Sequence, residues 1–395
     1  MQREMDFSEK NVRNCWYGVK DFWKLLEGEV KGVVKGHLER ALVLEQKVRI
    51  GCGWYKRSGR RKGYRNGSYV RDLLTTYGWI VGLVVPRLRK GRLESEVLER
   101  YKRRQRQVDL VLLEAFLLGH STRKAVRWFK KLFGDGISPQ TVSNVVKELN
   151  QQVQQFHRRW LGDDYQYLFL DGLWITMGKP FKTKKVVLVA FGVRMDESKE
   201  LLSFQIATSE SESWWWGFLS DLKQRGLMGN HLQVIVSDEA KGLVKAIQAL
   251  YPRVSHQLCT FHKAKDTGEH LLDKKHRRSI ISDALWVFEG QTKTEVTQRL
   301  KVFSEKWSAK EPKAIKNFIR GFESCLVYLE YPDPLRTMLK TNNPIERQLE
   351  EFRRRIIPMR SFNNSSSTER IIYGLIAYVL NQPQDMPQIE FTQSP

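Results

Sequence analysis

The sequence predicts an α/β protein, a mixed sheet that carries a helical insertion and follows a basic, largely helical N-terminal region. Three observations predict it. Between Tyr165 and Cys259, apolar runs of strand length alternate with two amphipathic helices in the order β-β-β-α-β-α-β. From Cys259 to Glu346 the pattern is helical almost throughout, which is too long for a simple connection and reads as an insertion. Upstream of residue 156, Lys and Arg outnumber acidic residues, and helical segments are broken at glycines.

At 395 residues the chain can bury more than one core. Its 67 Lys+Arg against 44 Asp+Glu leave a net charge of +23, a field that attracts polyanions, nucleic acid first. The excess is concentrated between Gly51 and Asn150, with 22 basic against 8 acidic residues, whereas the first fifty residues carry 10 against 8. No apolar run approaches the roughly 20 residues that span a bilayer. The start "MQREMDFSEKNVRNCW" has no apolar signal core. Cys15, Cys52, Cys259 and Cys325 are too scattered for a disulfide framework. Together these features predict a cytoplasmic protein with no membrane partner, associated with the nucleoid if DNA is its ligand.

The expected organisation runs as follows: a helical segment over 1–50, a basic β-hairpin region over 51–107 and a helix-turn-helix-like region over 108–155. The first part of a catalytic core follows over 156–262, then the helical insertion over 263–340, the final helices of the core over 341–380 and a polar tail over 381–395. Residues 16–48 make an amphipathic helix through Phe22, Leu25, Leu26 and Val30. The stretch "WYKRSGRRKGYRNGSYVRDLLTTYGWIVGLVVPRLRKGRLE" mixes Gly-rich turns with short alternating apolar runs, as small hairpins with a basic face do. Aromatic residues interleave with the charges at Trp54, Tyr55, Tyr64 and Tyr69, so Arg60, Arg61, Lys62 and Arg65 are candidate DNA contacts.

From Val108 three helices fit, separated at Gly119–His120 and Gly134–Ile137. "STRKAVRWFKKLFG" and "SPQTVSNVVKEL" each open on a Ser suited to N-capping. Two helices about a tight Gly-containing turn have the form of a helix-turn-helix reader. Gln140, Thr141, Ser143 and Asn144 then fall near the start of a recognition helix, and Arg123 is a further candidate DNA contact.

In the core, "YQYLFLDGLWITM" reads as a strand ending near Asp171, and "HLQVIVSDEAKG" as a fourth, almost wholly apolar strand ending at Asp238. This order of elements is that of the ribonuclease-H-like fold, in which the first and fourth strands lie side by side and parallel. Asp171 and Asp238 would then be neighbours beyond strand ends, where open α/β sheets bind ligands. Close carboxylates repel unless a cation bridges them, and oxygen donors select Mg²⁺ or Mn²⁺. Two such ions serve phosphodiester chemistry. A third carboxylate is needed from a later helix. "TNNPIERQLEEFRRR" opens one, with Asn342 or Asn343 as cap, Pro344 in the first turn, and a stripe of Ile345, Leu349, Phe352 and Ile356. Glu346 lies in its first turn, with Glu350 and Glu351 as rivals on spacing, and Arg353, Arg354 and Arg355 could grip a DNA backbone. The insertion reads as helices over Leu271–Phe288, Thr294–Trp307 and Ala314–Leu329.

These residues resemble the Mutator-type transposases of bacterial insertion sequences, a family of acidic-triad (Asp-Asp-Glu) enzymes. The resemblance rests on "LDGLWI", "SWWWGFLSDLKQRGL", "IVSDEAKGL", "QLCTFHK" and "TNNPIERQLEEFRRR" followed by "RSF", and covers about residues 50–380. It implies a triad of Asp171, Asp238 and Glu346 holding two Mg²⁺ or Mn²⁺ ions. It also implies DNA partners (terminal inverted repeats and target DNA) and a homodimer or higher oligomer on DNA. A nuclease of the same fold and a catalytically silent repressor are the alternatives. The resemblance further marks Cys259 and His262 as a family Cys-x-x-His motif. Two ligands alone do not make a zinc site, and no second pair stands out among His256, His270 and His276. It aligns the family tryptophan with Trp215, which spacing places on a packing stripe with Phe218, Leu219 and Leu222. Trp214 or Trp216 is left to face DNA, because successive helical residues turn by about 100°.

Overall fold

A computed structural model of the protein describes residues 19–56, 58–59, 61–99, 102–134, 136–178, 181–341, 350, 352–354, 362 and 364–377. The chain divides into two compact units at Val146/Lys147.

In the first unit a 32-residue helix, α1 (Val19–Ile50), presents Val34, Leu38 and Leu42 at four-residue spacing. That stripe packs on Leu73, Ile80, Leu83 and Val85 of an antiparallel pair, β1 (Arg65–Thr75) and β2 (Gly78–Leu88). The basic region thus holds one long hairpin among its described residues. A second core joins Leu74 to Val108 and Leu112 of α2 (Arg106–Leu117), Ala125 and Phe129 of α3 (Thr122–Phe133), and Val142 of α4 (Pro139–Lys147). Ser121 caps α3 by accepting from the Lys124 N–H at 3.3 Å. Ser138 caps α4 by accepting from the Thr141 N–H at 3.1 Å. Both capping serines are where the sequence puts them.

The second unit opens with α5 (Leu149–Arg158) and builds a five-stranded sheet in the order β5-β4-β3-β6-β7. The strands are β3 (Tyr165–Met177), β4 (Thr183–Arg194), β5 (Lys199–Ala207), β6 (Val234–Ser237) and β7 (Ser255–Leu258). The first three form an antiparallel meander, and β3-β6-β7 are parallel. On one face, Leu168, Leu170, Val186, Leu188 and Ile235 pack against α6 (Glu212–Gln224) and α7 (Lys241–Leu250) through Trp215, Phe218, Leu222, Leu243 and Ile247. Beside this core Phe156 of α5 stacks on Phe204 of β5 and meets Tyr373 of α13 (Ser365–Leu375) edge-on. The Ser/Asn tract is not idle low complexity: Asn364 caps α13 by accepting from the Ser367 N–H at 2.8 Å.

After β7 come α8 (Thr260–Thr267), α9 (Arg277–Val287), α10 (Lys293–Trp307), α11 (Pro312–Ile319) and α12 (Asp333–Leu339). The single helix expected over Ala314–Leu329 is corrected: α11 stops at Ile319, and two 3₁₀ turns, Phe322–Cys325 and Val327–Glu330, follow. The cause is Gly321, whose φ of 69° is left-handed and ends the helix. Gln257 of β7 reads both turns, donating to the Cys325 carbonyl at 2.9 Å and accepting from the Tyr328 N–H at 2.8 Å. The insertion is thereby bonded to the parallel edge of the sheet.

Candidate active site

Asp171 does not end its strand. β3 continues to Met177, because β4 pairs with it residue by residue as far as Thr183. What ends near Asp171 is the parallel pairing, since β6 meets β3 only at Tyr167, Leu168 and Phe169. Extending that register by two residues brings Asp238 level with Asp171 on adjacent strands, which lie about 4.8 Å apart in a sheet. Both expected carboxylates are therefore together, on β3 and on the turn leaving β6.

Each is oriented by its own backbone. Asp171 accepts from the Gly172 N–H at 2.7 Å, and Asp238 from the Ala240 N–H at 3.2 Å. Burial pushes the Asp171 carboxyl up to about 6; the Asp238 charge adds to the rise, while His262, the Gly172 N–H and Arg353 oppose it. Burial likewise raises Asp238, against the Ala240 N–H and His262. His262 reaches them from α8. Burial alone would lower its imidazole, but the hydrogen bond and charge of Cys259, with Asp171 and Asp238, carry it up to about 9. Among the described residues its Nδ1 is buried without a hydrogen-bond partner. The Cys-x-x-His motif thus sets a cationic ring beside the paired carboxylates. His256 is bonded to Ser237 and His276 to Glu311, so neither joins Cys259 and His262.

Glu210, which the sequence reading did not single out, belongs to this group. It precedes α6, and burial together with Asp238 and Asp171 pushes its carboxyl up to about 7, with the Trp174 indole as an opposing donor. Two glycines make room for it. A Cβ on Gly172 would stand 2.4 Å from Glu210 Oε1, and one on Gly242 would stand 2.7 Å from the Glu210 carbonyl oxygen. The glycine after Asp171 was the available signal. The acidic run "ESE" gave no periodic clue to which carboxylate turns inward.

A second layer ties the site to the insertion. Lys263, 1% exposed, bonds Glu239 at 2.6 Å and donates to the Asn317 carbonyl at 2.9 Å and to that of Arg320. Phe362 of the "RSF" motif bridges to Met177, and its carbonyl accepts from the Gly178 N–H at 2.8 Å. Phe352 is buried, and Arg353 and Arg354 are exposed. Glu346, Glu351, Arg60 and Arg355 lie outside the described residues.

The candidate DNA contacts of the first unit fall into two groups. Lys62 and Arg123 are exposed, Gln140 and Asn144 are exposed and bonded to each other at 2.9 Å, and Arg61 covers the Tyr64 ring at 4.2 Å. Arg65, Thr141 and Ser143 are engaged locally. Arg65 stacks on Trp54 and donates to the Cys52 and Gly53 carbonyls, Thr141 closes the Ser138 cap, and Ser143 donates to the Pro139 carbonyl. Trp215 is buried in the core as its spacing predicts, and Trp214 is partly buried with its indole donating to Thr208 at 3.0 Å. Trp216 is 51% exposed.

Sheet and site together define an α/β protein with an acidic, oxygen-rich centre where a parallel strand pair ends. The family described as "Transposase, Mutator family" matches residues 20–384. The transposase for insertion sequence element ISRM5 of Rhizobium meliloti (strain 1021) is 31% identical over 358 residues, covering 90% of this chain and 89% of that one. The transposase for IS256 in transposon Tn4001 of Staphylococcus aureus is 32% identical over 82% of both chains. That for IS406 of Burkholderia multivorans is 29% identical over 89% of this chain and 92% of its own. The chain belongs to the Mutator family of transposases.

Proposed function

We propose that the protein binds the terminal inverted repeats of its own insertion sequence, hydrolyses phosphodiester bonds at the ends and joins the freed 3′-OH to target DNA. The observation that carries this reading is the level pairing of Asp171 and Asp238 at the end of the β3-β6 parallel pair. On this reading the second unit is a ribonuclease-H-like core, and its meander followed by parallel crossovers supports that. The capped α3-turn-α4 segment serves as a helix-turn-helix, with Gln140 and Asn144 as the side chains open to base edges. A homodimer or larger assembly forms on DNA.

Asp171 and Asp238, completed by Glu346, would hold two Mg²⁺ or Mn²⁺ ions. The fit rests on oxygen donors that burial and mutual repulsion leave in need of a cation. When bound, the ions supply Lewis-acid activation of the phosphodiester and of the attacking oxygen. The chain's own residues do the rest. The Gly172 and Ala240 N–H groups aim the carboxylates, protonated His262 offsets their charge, and Arg353 draws the DNA backbone toward them. The reaction requires no covalent protein intermediate.

The test is to incubate the protein with labelled element ends, a target plasmid and Mg²⁺, and to map the products. Cleaved ends joined to target are expected. Cleavage with no joining would make the protein a nuclease, and binding with neither would make it a repressor.

A further inference from the structure

Beyond the carboxylates the β3-β4 hairpin keeps going, and one of its faces stays open. Along β3 the odd positions Asp171, Leu173, Ile175 and Met177 are buried, whereas Gly172 and Thr176 are half-buried and Trp174 is 52% exposed. The even positions share the face that α6 and α7 cover further back, at Leu168 and Leu170. That cover ends at Glu210, which packs over Gly172. Trp174 is next outward on this face. Its cross-strand partner is Val186, and that of Thr176 is Lys184, so Lys184 stands diagonally from Trp174, within about 8 Å. Lys182 and Lys184 are exposed, Lys185 is half-buried, and Phe181 is 85% exposed. Among the described residues none of these lysines is paired with a carboxylate. An indole with unpaired ammonium groups beside it suits a nucleic-acid strand: bases stack on the ring and phosphates meet the lysines.

We propose that the outer β3-β4 hairpin holds the DNA strand that flanks the cut, with Trp174 stacked on one unpaired base and Lys182 and Lys184 on the adjoining phosphates. This rests on the proposed function. Trp174 is three residues beyond Asp171, about 10 Å along the strand and on its opposite face, and its indole donates to Glu210, which acts on both Asp171 and Asp238. That span equals about three base steps, so the stacked base lies within about three nucleotides of the scissile phosphate.

The test uses the full-length protein and element-end duplexes carrying 2-aminopurine at single positions one to six nucleotides from the cut. With the wild-type chain, the fluorescence of one position within the first three should change on binding. Trp174→Ala should abolish that change and weaken binding about tenfold at an unchanged melting temperature, Trp174→Phe should restore both, and Trp216→Ala should leave the signal in place. A Lys182→Gln/Lys184→Gln protein should keep the signal but bind with a shallower salt dependence. If Trp174→Ala binds, fluoresces and cleaves like wild type, the inference is overturned. It is also overturned if the variant instead changes the oligomeric state measured by light scattering, which would make this face a contact between copies. Failure of the wild-type chain to bind or cleave element ends would overturn the proposed function and this inference with it, a result visible before any variant is made.

Discussion

The unit up to Val146 carries 31 basic against 15 acidic side chains, and the unit from Lys147 onward carries 36 against 29. The two also place their polar groups differently. In the first, candidate ligand-binding groups such as Lys62, Arg123, Gln140 and Asn144 are exposed, where solvent and salt screen them. In the second, Asp171, Asp238 and His262 are desolvated and act on one another strongly enough to move their proton affinities. An open, basic surface is suited to affinity, and a partly buried cluster of interacting charges is suited to chemistry. If the two units divide binding and chemistry in this way, mutations should separate the two.

The largest break is expected at the cluster. Asp171→Ala, Asp238→Ala or Glu346→Ala should lower cleavage and joining by about 10³-fold or more while element-end binding stays within a few fold. Gel-shift and cleavage assays on the same preparations would check it, and a variant that cleaves at the wild-type rate removes that residue from the triad.

Next comes packing within the second unit. Trp215→Ala should cost about 3–5 kcal/mol, because the ring fills the core beneath the sheet. Trp216→Ala should leave the melting temperature nearly unchanged. Thermal unfolding of the two proteins decides between core and surface roles, and equal melting temperatures would contradict the burial of Trp215 in that core.

A pH effect should follow from the buried histidines of the same unit. Burial holds His256 at about 4, and burial together with Arg225 and Arg159 holds His157 at about 4. The unfolded chain takes up these protons below about pH 6.5, whereas the folded chain resists until about pH 4. Stability is therefore complete above 6.5 and is lost as pH falls toward 4, by at most about 3 kcal/mol per histidine. Urea unfolding of His256→Gln should show a shallower loss between pH 7 and pH 4.5. A slope unchanged from wild type would take His256 out of the account.

The smallest effect belongs to the basic surface. Arg61→Gln and Lys62→Gln should each weaken element-end binding a few fold and reduce the slope of log K against log salt by about 0.9, with cleavage at saturating protein unchanged. A variant that lost cleavage at full occupancy would blur the division between the two units.

Much of this was legible in the linear chain. Apolar runs of strand length announced β3 to β7, and the serines before α3 and α4 announced their caps, because both signals depend on residues close in sequence. Asp171 and Asp238 were legible for the same reason, each following an apolar strand core. Read along the chain alone, the order of elements, the charge asymmetry and the placing of those two aspartates after apolar strand cores are already specified. Which groups surround them follows from packing across the sheet. Glu210 turns inward because Gly172 and Gly242 leave space for it, His262 arrives on a short helix after β7, and Trp174 stays exposed because the helical cover ends at Glu210. Those facts depend on contacts between residues distant in the chain, and periodicity along a sequence carries no record of what packs across a sheet.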